Sequence, residues 1–151
     1  MKKHFFVLLF FISMTTPYSH AQISNEASIL PLLNEGENVY KKLVEKSKTI
    51  ARFEIDLVNQ SSNRFTPVRL ISGRTYSVML LGEFNIINEI ELKIYTYLNR
   101  SMVLKSDFKN STRIFETTFN PDKNDYYEFE IIAKKFSAGK KVGRYCLIIA
   151  N

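Results

Sequence analysis

Apolar and polar residues alternate with a period of two along most of this chain after about residue 50. The pattern is clearest over residues 89–98. There Ile90, Leu92 and Ile94 point one way, and Glu91, Lys93, Tyr95 and Tyr97 point the other. That is the period of a half-buried strand. Phe53, Ile55 and Leu57 alternate in the same way with Glu54 and Asp56. So do Phe115, Thr117 and Phe119 with Ile114, Glu116 and Thr118, and Tyr127, Phe129 and Ile131 with Glu128 and Glu130. Residues 65–71 read as extended, and Pro67 makes that strand an edge strand or breaks it. Tyr76, Val78 and Leu80 alternate with Ser77, while Met79 and Leu81 make their strand apolar on both sides. Met102, Val103 and Leu104 form a return strand, and residues 143–149 form the last one.

Polar and turn-forming residues separate these runs. They include residues 59–63, the Ser72-Gly73-Arg74 turn, a polar loop at 107–111 and the Asn120-Pro121-Asp122 turn. Asn99-Arg100 reads as a two-residue hairpin with Asn99 at positive φ. About eight short strands at roughly ten-residue spacing predict an all-β fold, an antiparallel β-sandwich or jelly roll. The period becomes helical once. Val39, Tyr40, Leu43 and Val44 share one face, opposite Lys41, Lys42, Glu45 and Lys46. This predicts one N-terminal amphipathic helix over roughly 37–48, lying against the sheets. Asn34 or Asn38 would cap it, and the nearby acidic residues would suit its dipole.

The first residues follow a different rule. Lys2 and Lys3 precede an unbroken apolar run from Phe5 to Ile12, and Ser19-His20-Ala21 is a small-x-small site. That is the pattern of a secretory signal cut after Ala21. The run is shorter than the roughly 20 residues a membrane span requires. The expected organisation is therefore a signal peptide at 1–21, a segment with the helix at 22–51, and a β-sandwich domain at 52–151. The product would be exported, periplasmic or secreted, with no membrane span. A composition rich in Lys, Asn, Ile and Phe and without Trp reads as bacterial.

Removal of that segment changes the chemistry available. His4 and His20 are the two histidines, and both leave with it. Nucleophilic sites that use a histidine base, and zinc sites built on imidazole, are thereby excluded. Cys146 is the one cysteine, so no internal disulfide can form, and its apolar neighbours make it a buried core residue. Two of the 21 Lys and Arg leave, so 19 face 15 Asp and Glu, a net charge of +4. That permits an anionic partner without requiring one. Nucleic acid is not expected, because there is no dense basic block.

Four groups of residues have site-like composition. Glu89 with Glu91, and Glu128 with Glu130, are carboxylate pairs on strands, as glycan hydrolysis requires, although alternation alone accounts for them. Residues 122–125 resemble a calcium loop but lack its Gly and its final Glu, so no metal site is expected. Tyr95 and Tyr97, on the face opposite Ile90, Leu92 and Ile94, present rings suited to stacking on sugar or meeting a protein partner, although burial under the helix or the second sheet accounts for them equally. Lys134, Lys135, Lys140, Lys141 and Arg144 are expected to cluster in one basic loop suited to an anionic ligand, although an ordinary solvated loop accounts for them as well.

Residues 73–151 also carry a set of spaced motifs. These are Gly73-Arg74-Thr75-Tyr76, the acidic–aliphatic alternation from Glu89 to Tyr95, Phe119-Asn120-Pro121, Asp125-Tyr126-Tyr127 and Gly143-Arg144-Tyr145. In this order they resemble the pre-peptidase C-terminal domain, in its small stand-alone exported form with a preceding helix. The family has aspartates where Glu89 and Glu91 stand, and a glycine near Asn124 and Asp125. The calcium-binding linker of some relatives is absent, so no metal site is carried over. The resemblance implies a β-sandwich that sits beside catalytic domains and is not itself catalytic. The expectation is thus an exported, non-catalytic module for binding or structural support, without a cofactor. Its partner would be a glycan or an envelope protein. The alternative is a carboxylate-based glycan hydrolase.

Overall fold

The computed structural model describes residues 29–109 and 114–151. The expected signal segment at 1–21, residues 22–28, and positions 110–111 of the expected loop lie outside the described residues. Along the chain come α1 (Leu30–Glu45), β1 (Ile50–Asn59), β2 (Arg64–Leu70), β3 (Tyr76–Gly82) and β4 (Ile87–Thr96). These are followed by β5 (Met102–Lys109), β6 (Phe115–Phe119), β7 (Asp125–Phe136) and β8 (Val142–Ala150). The strands form two four-stranded sheets, sheet A in the order β1-β8-β3-β6 and sheet B in the order β2-β7-β4-β5. Every pairing is antiparallel.

This order has a simple origin. The pairs β1–β8, β2–β7, β3–β6 and β4–β5 are successive rungs of one long hairpin with its tip between β4 and β5. Successive pairs fall in alternate sheets. Rolled up in this way, the hairpin is a jelly roll, so the fold is the all-β sandwich with one helix that the alternation predicts. Pro67 lies on β2, at the edge of sheet B, where its missing N–H interrupts no ladder on the open side.

The inward residues of both sheets form one core. Val78, Leu80, Leu147 and Ile149 of sheet A meet Leu70, Ile90, Leu92, Ile94, Phe129 and Ile131 of sheet B. The outer faces differ. On sheet A, Leu32, Val39 and Leu43 of α1 pack on Met79, Leu81, Cys146 and Ile148. A sheet covered on both sides needs strands that are apolar on both sides, which is why β3 and β8 depart from strict alternation. No described helix covers the outer face of sheet B.

Four local expectations are corrected. First, the helix runs over Leu30–Glu45 rather than 37–48. Asn34 and Asn38 lie inside it, the first turn holds no acidic residue, and Pro31 sits in that first turn, where a missing N–H costs nothing. Gly36 does not break it. It is buried where a Cβ would come within 3.0 Å of Cys146 Sγ, so the absent side chain lets the helix approach the sheet. Second, the β4–β5 turn spans four residues, closed by Thr96 N donating to Ser101 O at 2.9 Å. The positive φ falls on Arg100, at 50°, while the Asn99 side chain accepts from Ser101 N. Third, β5 continues through positions expected to be loop. Fourth, β7 reaches Phe136, so the basic stretch is partly strand.

Candidate functional site

The outer face of sheet B is built in rows, because antiparallel partners point to the same side. Arg69 of β2 stands opposite Tyr126 of β7, and Tyr97 N donates to Tyr126 O at 3.0 Å, which places Tyr97 beside it. The next row holds Pro67, Glu128, Tyr95 and Met102. The row after that holds Phe65, Glu130, Lys93 and Lys105. Glu91 lies one step further along β4.

The far rows are an ion network. Glu91, with its side chain only 2% exposed, has Lys93 Nζ at 2.9 Å, Lys105 Nζ at 3.9 Å and Lys134 in direct contact. Its Oε1 makes no hydrogen bond of good angle, so the Lys93 contact at that oxygen is chiefly ionic. Glu130 accepts from Asn63 Nδ2 at 2.6 Å and from the Tyr95 hydroxyl at 2.8 Å, with Lys93 Nζ at 3.8 Å. The Glu91 carboxylate, assisted by Glu130, raises the Lys93 ammonium above its ordinary range against the opposing effect of burial. Burial first, and then the bond to Glu130, raises the Tyr95 phenol.

The near rows are aromatic. Arg100, held in the left-handed region that non-glycine residues seldom occupy, lays its guanidinium 5.2 Å from the Phe65 ring centre and 5.7 Å from that of Tyr95. It also pairs with Glu128 at 3.1 Å. Tyr95 is therefore half-buried, with its hydroxyl engaged and its ring beneath a cation. Beyond it Tyr97 and Tyr126 touch each other with ring centres 6.1 Å apart and planes at 54°. They are 51% and 50% exposed, so their outer surfaces are open. Arg69 is exposed beside Tyr126 and, among the described residues, makes no ion pair.

The residues singled out in the sequence are thus divided. Tyr97 is an open ring and Tyr95 a covered one. Lys134 is drawn to Glu91, and Lys135 lies 4.0 Å from Glu89. Arg144 is on sheet A, where its Nη1 meets the buried Glu83 at 3.3 Å. Lys140 and Lys141 are in the turn before β8, so the five basic residues do not share one loop. Sequence reasoning missed Tyr126, Arg69, Phe65 and Arg100. The signal was present on β2, where Phe65, Pro67 and Arg69 alternate with the buried Thr66, Val68 and Leu70. Cys146 lies in the core as expected, and burial, then the charges of Glu35 and Glu54, push its thiol up to about 12.

No protein-family model and no curated protein matches this sequence. Among solved structures, the chain is similar to the pre-peptidase C-terminal domain of collagenase from Bacillus anthracis. That match has 12% identity and a TM-score of 0.47, and covers 66% of this chain and 89% of that one. It is also similar to a structure of Bacillus endospore appendages, a family of disulfide-linked pili, at 14% identity and a TM-score of 0.34, covering 68% and 88%.

Proposed function

We propose that this chain is an exported, non-catalytic binding module acting at the cell envelope or outside it, and that it meets its ligand with the outer face of sheet B. The observation that carries this reading is the contrast between the two outer faces. That of sheet A lies beneath α1, whereas that of sheet B presents Tyr97 and Tyr126 as two half-exposed rings in contact. Isolated apolar side chains at a surface are ordinary, but paired, half-exposed rings on a face that no described helix covers suit recognition. Export rests on the signal pattern at 1–21. The non-catalytic reading rests on the absence of histidine from residues 22–151, and on Glu91, Glu128 and Glu130 being engaged by Lys, Arg, Tyr or Asn.

The test is a glycan array probed with the wild-type protein, the Tyr97→Ala/Tyr126→Ala variant and Lys140→Glu. The expected outcome is retention by wild type and by Lys140→Glu, and loss by the double variant with an unchanged melting curve. Loss in Lys140→Glu alone would move the site to the turn at 137–141. No binding by the wild-type protein would remove the reading.

A further inference from the structure

We infer that the ligand of this face is an acidic glycan, a chain carrying hexuronate residues, with a sugar ring against Tyr126 and Tyr97 and its carboxylate on Arg69. The inference rests on the binding reading above and adds the ligand's chemistry. Charge is what decides it. Arg100, Lys93, Lys105 and Lys134 on this face each have a carboxylate partner. Arg69 stands apart, with no ion pair among the described residues, directly across from an open tyrosine ring. Opposed side chains on one face have Cβ atoms about 4.5–5.5 Å apart. That is roughly the breadth of a sugar ring, so a ring seated on Tyr126 brings its C5 carboxylate to the guanidinium. The planar fork of arginine matches a carboxylate through two parallel hydrogen bonds. The nearest acidic neighbour on this face, Glu128, is already paired with Arg100 at 3.1 Å, so it opposes an incoming anion little.

A neutral glycan would stack but leave Arg69 without an ion partner. An acidic polypeptide would meet Arg69 but has no ring of matching breadth beside its carboxylate. The footprint also favours a sugar. The open rings and the guanidinium lie in a single row, whereas a stable protein interface takes about 800 Å² from each partner.

The test uses three probes on the full chain: oligogalacturonate, its carboxyl-reduced neutral counterpart, and polyglutamate. Binding is measured by calorimetry at low and high salt. Oligogalacturonate is expected to bind, and to bind more weakly as salt rises, because exposed charges are screened over about 10 Å near 0.1 M. Arg69→Gln should weaken it about tenfold or more, as loss of a charged hydrogen bond does. Tyr126→Ala should weaken it independently, and neither exposed substitution should alter folding. Equal affinity for the neutral oligomer would overturn the uronate inference and leave the face as the binding surface. Binding of polyglutamate would overturn the glycan assignment. No binding of oligogalacturonate would overturn the inference outright. Affinity unchanged by Tyr97→Ala and Tyr126→Ala would overturn the face itself.

Discussion

Glu54 occupies a polar step in the alternation of β1, yet its carboxylate turns into the sandwich. Tyr145 Oη and Thr66 Oγ1 each donate to its Oε1 at 2.8 Å, and Arg52 Nε donates to Oε2 at 2.8 Å. Burial pushes the Glu54 carboxyl up, but the bonds from Arg52, Tyr145 and Thr66 together outweigh it, and the net shift is downward. Tyr145, fully buried, moves the opposite way, raised first by burial and then by its bond to Glu54. A carboxylate whose folded value lies below its unfolded value, here 4.5, stabilises the fold fully above that pH. That stability is lost as pH falls through the unfolded value towards the folded one. Urea midpoints at about pH 7 and about pH 3 should therefore fall more steeply on acidification in the wild-type protein than in Glu54→Gln. Parallel acid limbs would mean that the donors contribute nothing to the pH dependence.

At the scale of elements, α1 is where the sequence was hardest to read. A glycine inside a helix costs roughly 1 kcal/mol relative to alanine, so residues 34–38 look like a break. The compensation lies in another element, at Cys146 on β8, and no periodicity within the helix reveals it. The strands were legible because alternation is local, and for the same reason Tyr97 could be placed on the face opposite Ile90, Leu92 and Ile94, although whether that face was open could not be read from it. Its partnership with Tyr126 and Arg69 was not legible, because the order β2-β7-β4 joins strands far apart in sequence. The account of Gly36 can be tested with a double-mutant cycle. Gly36→Ala alone should gain little or lose stability, since its Cβ would stand 3.0 Å from Cys146 Sγ. In a Cys146→Ala background that obstruction is gone, and the same change should stabilise by up to about 1 kcal/mol. Additive effects across the four proteins would show that the sulfur does not set the helix position.

Across the molecule, the described residues form one rolled hairpin with α1 laid on one side, and that arrangement makes a claim about cooperativity. Sheet A is shared. Its inward residues, such as Leu80 and Leu147, belong to the core with sheet B, and its outward ones, such as Leu81 and Ile148, belong to the layer under α1. Loss of either layer uncovers residues on strands that also build the other. Leu92 is fully buried between the sheets, and Leu43 is 8% exposed under the helix. Truncation of a buried leucine to alanine costs about 2–5 kcal/mol, a large part of the roughly 5–15 kcal/mol that a domain of this kind has. Leu92→Ala and Leu43→Ala should each lower the denaturation midpoint, and in both the helical circular dichroism and the tyrosine fluorescence should change together. A helical signal lost ahead of the fluorescence in Leu43→Ala would make α1 a separable cover. The open face of sheet B would then no longer be the feature that distinguishes the two sides of the sandwich, since the outer face of sheet A could be bared as well.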